Sequence, residues 1–506
     1  MTRRNGTSTD LWQYFEERSR SFIDRSAVST SQGELSFGDL FRIADQLALA
    51  LGNAGLREGN TVALSLPNSI AFVPAFLALT RLSATIALIS PKYEKNELTS
   101  IAECVVPDYY LTSASLASAF ADRLSLSVTE AVITPRPLEA LNLIPSSDTI
   151  PSNRSLSPES VSSEGTAVIK FTSGTTEKPK GIILTVDNIL AEAQSVVETL
   201  ALTSEDKIYT AVPVHHSYGF DLGVLSMLSS GATLVLRDIF VPRKFVSEIS
   251  DLNATIILGV PSMYRFIVES RSTAPLNLSH VRYLLSCTAH LQPDLIRSFH
   301  EIYGLPICQH YGSSETGAVT THIPSEVLAR PFSVGVCMKN VELSIRDHEG
   351  SQITPGVEGE IVVRSAAVSP GYVMGQPSNV SPFREGCYWT GDFGYMDDDG
   401  FLYIKGRVDE IINVGGHKVS PDEVIQVLES HPAVREAAVF GVKDAYGEEG
   451  VYTVVSLNHH ASEKEILAYC RTRLSDYKVP RRVDIRDELP HGPSGKVNLR
   501  PEDLLI

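Results

Sequence analysis

The sequence predicts an α/β protein of two domains, a large multi-sheet N-terminal one over residues 1–408 and a small α+β one over residues 409–506. Three observations carry this expectation. A chain of 506 residues is longer than one hydrophobic core ordinarily fills. Helix-like and strand-like patterns alternate along the larger part, and the strand runs are largely continuous in apolar residues, as strands buried between layers require. Lys405-Gly-Arg-Val-Asp409 then interrupts the pattern, and the segment beyond it has helix starts and strand runs of its own.

The elements follow in order. Thr61–Leu66 is a compact apolar strand, broken by Pro67-Asn68. The longest apolar stretch, Ile70–Ile89, contains Pro74 and Arg81 and predicts a buried helix followed by a strand, not a membrane span. Residues 126–165 are rich in Ser, Pro and Thr and predict a surface connection, Pro145–Glu164 above all. Ala167–Phe171 and Gly181–Leu184 are strands on either side of a polar loop. Further strands are expected at Lys207–Val212, Ala232–Leu236, Ala254–Val260 and Arg282–Ser286, with helices between them. Tyr388–Tyr395 and Gly400–Ile404 flank Asp398-Asp399-Gly400, a hairpin signal. Ser420-Pro421-Asp422-Glu423 predicts a capping box opening a helix that runs to about Ser430. Strands at Ala437–Val442 and Val451–Leu457 follow, and Ser462 with Glu465 opens a last helix.

Composition narrows the function classes. The net charge of −17 argues against a nucleic-acid partner, which needs a basic face. The opening Met1-Thr-Arg-Arg-Asn-Gly lacks an apolar signal core, so a soluble cytoplasmic protein without a transmembrane segment is expected. The six cysteines show no CxxC spacing and predict reduced, mostly buried thiols. His215-His216 and His459-His460 are adjacent pairs, which cannot both face one ion, so they assign no metal site.

The chemistry begins at Phe171-Thr-Ser-Gly-Thr-Thr-Glu-Lys-Pro-Lys-Gly181. Thr172, Ser173, Thr175 and Thr176 offer hydroxyls, Gly174 allows close backbone approach, and Lys178 and Lys180 add positive charge. Such a loop can wrap a triphosphate through N–H and hydroxyl donors. It lacks the Gly-Lys-Ser/Thr spacing of a Walker A loop.

This loop resembles the phosphate loop of the adenylate-forming superfamily: acyl- and aryl-CoA synthetases, peptide-synthetase adenylation domains and luciferases. Four more segments match in order, Tyr311-Gly-Ser-Ser-Glu-Thr-Gly317, Tyr388-Trp-Thr-Gly-Asp392, Gly406-Arg-Val-Asp409 and Pro493-Ser-Gly-Lys496. The resemblance spans nearly the whole chain. It implies a large domain with the adenylate-forming fold and a small, mobile C-terminal domain. It also implies the use of ATP, Mg²⁺ and CoA, with a small carboxylic acid as substrate.

Residue by residue, the resemblance implies that Glu315 is the Mg²⁺ ligand, that Ser314 stands where a phosphate-contacting Thr is usual, and that Tyr311 stacks on adenine. Asp392 is assigned to the ribose hydroxyls, for which an acceptor-only carboxylate is suited. Arg407 is assigned to ribose or phosphate. Lys496 would bridge substrate carboxylate and α-phosphate during adenylation, and Asp409 would be the hinge about which the small domain rotates. The loop Val414-Gly-Gly-His-Lys-Val419 would form the thiol tunnel, where Gly415 and Gly416 let a pantetheine arm pass close to the backbone.

The acid side is read from Pro213-Val-His-His-Ser-Tyr-Gly219, which resembles a segment of acyl- and aryl-CoA ligases with His216 as the aromatic wall. Gly312, Cys287 and Thr288 are assigned to the same site. Amino-acid-activating relatives place an Asp where this chain has Ser217; a buried ammonium would lack its partner, which disfavours α-amino acids. Asp221 is nearby but out of register for that role. The chain departs from the family at Glu177, at Val186 and at Ser286-Cys-Thr-Ala-His-Leu291, where Cys287 and Thr288 add bulk. The expected activity is ATP-dependent formation of an acyl-adenylate and transfer to CoA, releasing AMP and pyrophosphate. The alternative acceptor is a separate phosphopantetheinyl carrier protein. A reading from another class, a catalytically dead nucleotide-binding protein, has no physical need of Glu315, Asp392, Arg407 and Lys496 together.

Overall fold

The computed structural model describes residues 10–126, 131–132, 138–146, 166–171, 179–270, 277–373, 381–414, 417–443, 449–490, 497 and 499. The chain forms two compact units, Met1–Glu342 with Val363–Tyr388, and Leu343–Val362 with Trp389–Ile506. The 408/409 boundary read from the sequence lies within the second of these.

The first unit is mixed α/β and is built on two sheets. One has eight strands, running from the edge strand Gly371–Tyr372 through Gly181–Thr185, Thr166–Phe171, Thr85–Leu88, Thr61–Ser65, Tyr109–Ser113 and Leu141–Pro145 to Ala131–Val132. Thr61–Ser65 pairs in parallel with the strands on both sides, and every one of its residues is buried. The apolar stretch at 70–89 is indeed a buried helix, Phe72–Arg81, followed by the strand Thr85–Leu88. Leu141–Pro145 corrects the expectation of a surface connection there. It pairs antiparallel with Tyr109–Ser113 and buries Leu141 to Ile144, a run too short to stand out against its Ser- and Pro-rich flanks.

The other sheet has nine strands. Its centre is parallel, with Lys207–Thr210, Ile256–Gly259, Tyr283–Ser286 and Cys308–Ser313 at successive positions. Gly317–Thr321 then turns back antiparallel on Cys308–Ser313 and makes a hairpin. The expected strands at 207–212, 232–236, 254–260 and 282–286 are all present within a residue or two.

The hairpin signal is met by Cys387–Met396, which lies in the second unit from Trp389 on, and Leu402–Arg407. Asp397 Oδ1 accepts the N–H groups of Asp399 and Phe401, and Gly400 takes φ +83° at the turn. Beyond it a three-stranded sheet, Val434–Lys443, Glu449–Leu457 and Arg482–Arg486, carries the helices Pro421–Glu429 and Glu463–Arg471 over a core that includes Val424, Leu428, Val455 and Ile466. The second capping box closes from both sides. At the first, Ser420 caps the Glu423 N–H, but the Glu423 carboxylate turns to Lys478 Nζ at 2.7 and 2.8 Å instead of back to its own backbone. All six cysteines are free thiols. Among the described residues no helix is long and apolar enough to cross a membrane.

Candidate active site

The strands flanking the phosphate loop pair antiparallel, with Phe171 opposite Gly181, so the loop is the tip of a hairpin. Thr172, Ser173, Gly174, Thr175, Thr176, Glu177 and Lys178 lie outside the described residues. Lys180 is described, and its Nζ sits 5.9 Å from the centre of the Tyr372 ring. Tyr372 stands on the edge strand opposite Ile182, and its hydroxyl donates to Glu315 Oε1 at 2.9 Å. The sequence reading missed Tyr372.

Glu315 is held at the turn of the hairpin Cys308–Ser313/Gly317–Thr321 and is only 7% exposed. Its N–H reaches Ser313 Oγ at 3.3 Å, and its carbonyl accepts the Ser369 N–H at 2.8 Å. Gly312 must be glycine, because a Cβ there would lie 2.3 Å from Gly317 O. Among the described residues no group of three or more His, Cys, Asp or Glu could hold a metal by itself. A single buried carboxylate fits Mg²⁺, which is usually bound through one or two carboxylates with phosphate oxygens and water.

Ser314, next to Glu315, meets Ser217 at 2.7 Å between hydroxyl oxygens, which joins the metal-candidate hairpin to the acid-candidate segment. His216 is exposed, with its ring 4.5 Å from that of His215. His215 is buried, and burial, helped by His216 and Lys92, lowers its pKa to about 3, so its imidazole is neutral. Burial pushes the Cys287 thiol up to about 12, which makes it an inert side chain at neutral pH. Thr288 is exposed and takes φ +76°, a left-handed conformation uncommon for a β-branched residue. Tyr311 is half-buried on the strand Cys308–Ser313.

Asp221 is fully engaged elsewhere. Both of its carboxylate oxygens accept from Lys170 Nζ, at 2.6 and 2.7 Å, and the two side chains are 3% and 4% exposed. Burial raises the Asp221 pKa against the pull of Lys170. Beside them lies Glu192, also missed from the sequence. Its Oε1 accepts the Ala318 N–H at 2.9 Å, and its Oε2 is buried without a hydrogen-bond partner. The signal available was chemical: Lys170 interrupts the apolar run Ala167–Phe171, and Asp221 interrupts Phe220–Leu225.

In the second unit, Asp392 and Arg407 face each other across the hairpin. Arg407 Nη1 donates to Asp392 Oδ1 at 3.0 Å and to Thr390 O at 2.8 Å, while its Nε lies 3.6 Å from Asp409 Oδ1. Gly391, at φ +70°, leaves space for this guanidinium, since a Cβ there would stand 2.7 Å from Nη2. Two of the nucleotide candidates and the hinge candidate thus form one charged cluster, with Asp409 largely exposed. Gly415, Gly416 and Lys496 lie outside the described residues.

Comparison with known proteins shows the family. A family model described as AMP-binding enzyme matches residues 15–373, and one described as AMP-binding enzyme C-terminal domain matches residues 423–496. Oxalate–CoA ligase of Arabidopsis thaliana is 32% identical, over 97% of this chain and 98% of its own. The 2-succinylbenzoate–CoA ligase of Geobacillus kaustophilus is 33% identical, over 98% of each chain. The solved structure of o-succinylbenzoate coenzyme A synthetase from Bacillus subtilis, in complex with ATP and magnesium ion, superposes with a TM-score of 0.82 at 28% identity, covering 96% of this chain and 98% of that one. The chain belongs to the AMP-binding enzymes of the adenylate-forming superfamily and is an enzyme of their AMP-forming acid–thiol ligase class.

Proposed function

We propose that the protein converts a non-amino carboxylic acid, Mg-ATP and CoA to the acyl-CoA, AMP and pyrophosphate through a bound acyl-adenylate. The observation that carries this is the convergence at Glu315: Tyr372 holds its carboxylate, Lys180 stands beside Tyr372 at the base of the phosphate-loop hairpin, and Ser314 bonds Ser217 of the acid segment. The oxalate and 2-succinylbenzoate relatives are CoA ligases, which supports CoA as the acceptor.

A carboxylate resists acyl transfer because oxide is a poor leaving group, whereas AMP is a much weaker base. Attack of the carboxylate oxygen on the α-phosphorus forms the acyl–phosphate bond and expels pyrophosphate. In this reading, the hydroxyls and cations of 172–180 take the triphosphate, and Lys496 aligns carboxylate and α-phosphate. Glu315 would hold Mg²⁺, which supplies neutralisation of the departing charge. Tyr311, Asp392 and Arg407 bind the nucleoside, with Asp392 and Arg407 already set against each other. In the second half-reaction the CoA sulfur attacks the acyl carbon and AMP leaves, with Gly415 and Gly416 lining the thiol's path. Ser217 supplies no negative charge for an α-ammonium, and Asp221 is already neutralised by Lys170. Both features favour acids without an amino group.

Mass spectrometry of the purified protein with Mg-ATP, CoA and a mixed library of carboxylic acids tests the reading. A new acyl-CoA is expected, together with AMP. In a parallel tube a phosphopantetheinylated carrier protein replaces CoA. Acylated carrier without any acyl-CoA would overturn the acceptor assignment, and absence of AMP formation with every acid would overturn the adenylation itself.

A further inference from the structure

We propose that Lys170, Asp221 and Glu192 are positioning residues for the activation step: Lys170 and Asp221 lock the strand that leads into the phosphate loop to the segment after His216, and beside them Glu192, as the neutral acid, holds the hairpin that carries Glu315. The inference rests on the activation chemistry proposed above and assigns work to three side chains that the chemistry leaves unused.

The geometry is two neighbouring ties among four separate segments, one from Lys170 to Asp221 and one from Glu192 to Ala318. Lys170 lies two residues before Thr172, on the strand Thr166–Phe171. Asp221 lies five residues after His216, in the π-helical turn Phe220–Leu225. Glu192 projects from the helix Val186–Thr199 to the Ala318 N–H, and Ala318 pairs with Gly312 in the hairpin whose turn bears Glu315. Gly317, at φ +67°, gives the carboxyl its room, since a Cβ there would stand 2.0 Å from Glu192 Oε2. Lys170, Glu192, Asp221, Asn188 and Ser314 line one cavity of about 220 Å³, counted with its opening to solvent.

Charge balance then decides the protonation state. The helix of Glu192 packs against the strand Gly181–Thr185, the turn Phe220–Leu225, the helix Ser226–Ser230 and the strand Gly317–Thr321. The only charged side chain those elements carry is Asp221, and Lys170 completes the set. Among the described residues one cation therefore faces two carboxylates, and both Asp221 oxygens claim it. Burial first, and Asp221 second, push the Glu192 pKa up to about 8 against the Ala318 N–H and Lys170. The neutral acid keeps Oε1 as the acceptor for Ala318 and makes Oε2 an O–H donor, so no unpaired charge remains. Ionisation places a second negative charge beside Asp221, and either the carboxyl or the hairpin it holds must move. Ser314 and Glu315 lie on that hairpin, so the contact weakened is that with Mg-ATP.

The experiment uses the full-length protein, Mg-ATP as probe, and the variant Glu192→Gln, which keeps a neutral acceptor and donor at the same reach. Infrared spectroscopy should find the carbonyl band of a buried protonated carboxyl in the parent at pH 7, fading with a midpoint near pH 8 and missing from the variant. Calorimetry should find the variant and the parent binding Mg-ATP alike at pH 7. By pH 9 the parent should bind about 3-fold to 10-fold more weakly than the variant, as displacement of one polar contact implies. Glu192→Asp, which shortens the reach to Ala318, should bind Mg-ATP more weakly already at pH 7. If parent and Glu192→Gln follow one pH curve, or if the infrared band survives in the variant, the inference is overturned while the proposed activity stands. A parent that binds no Mg-ATP at any pH would overturn the proposed activity and this positioning role together.

Discussion

Replacing Lys170 by Met tests whether the buried ion pair holds the first unit together. The two side chains are 4% and 3% exposed, and Lys170 Nζ touches both Asp221 oxygens at 2.6 and 2.7 Å. Met fills nearly the same stem volume, so little packing is lost and the change is chiefly the missing charge. Breaking one side of a buried pair leaves an uncompensated charge and costs about 3–5 kcal/mol. Lys170→Met should therefore lose about that much at pH 7. Asp221→Asn, which strands the ammonium instead, should also be strongly destabilised. Removing both charges leaves neither group unpaired, so the double variant should be less destabilised than the sum of the two by about 2–3 kcal/mol. The Lys170→Met loss should shrink as pH falls, because burial already raises the Asp221 pKa and the folded variant takes up a proton that the unfolded chain does not. The chain has two tryptophans, Trp12 in the first unit and Trp389 in the second. Urea unfolding followed by Trp12 fluorescence in a Trp389→Phe background reads the first unit alone. Single variants costing less than about 1 kcal/mol, with strictly additive effects, would refute the reasoning.

Further outcomes follow from single positions. Gly317→Ala puts a Cβ 2.0 Å from Glu192 Oε2 at a φ of +67°, so it should cost at least about 2 kcal/mol and lower the melting temperature; an unchanged melt would show that the carboxyl moves freely. Lys496→Ala should nearly abolish acid-dependent pyrophosphate release while a supplied acyl-adenylate is still converted to thioester; equal loss of both steps would sink the assignment of Lys496 to the first. Gly416→Leu should do the reverse, filling the thiol's path while adenylate still accumulates, and parental thioester formation would remove Gly416 from that path.

Where the sequence was legible, the signal was local. Asp398-Asp399-Gly400 names its hairpin because Gly400 must take positive φ, and Ser462 with Glu465 names a helix start because both partners lie within one turn. The same local rule failed at Glu423, whose carboxylate prefers Lys478, 55 residues further along, to its own backbone. The site divides in the same way. The candidates Tyr311, Ser314, Glu315, Asp392 and Arg407 stand in contiguous motifs, so they could be proposed directly. Lys170, Glu192 and Tyr372 do their work across 51, 126 and 57 residues, to Asp221, Ala318 and Glu315, and no periodicity encodes such a pairing. The one trace it leaves is a charge inside an apolar run, at Lys170 and Asp221, which declares that a buried partner exists without naming it.

That trace changes how Asp221 bears on substrate choice. In the sequence, Asp221 lies near Ser217 but out of register to seat a substrate ammonium. In the structure its carboxylate is moreover taken by the chain's own ammonium: Lys170 meets both oxygens, and Asp221, Lys170 and Ser314 share one cavity. An amino acid would have to displace Lys170 from a buried pair and leave that cation stranded, at about 3–5 kcal/mol, before gaining an equivalent contact. Its acceptor could not be Glu192, which keeps its proton below about pH 8 and offers a donor instead. An acid without an amino group meets no such obstacle. In the proposed reading, the preference for acids without an amino group therefore rests less on the missing Asp at position 217 than on an internal cation that already occupies Asp221.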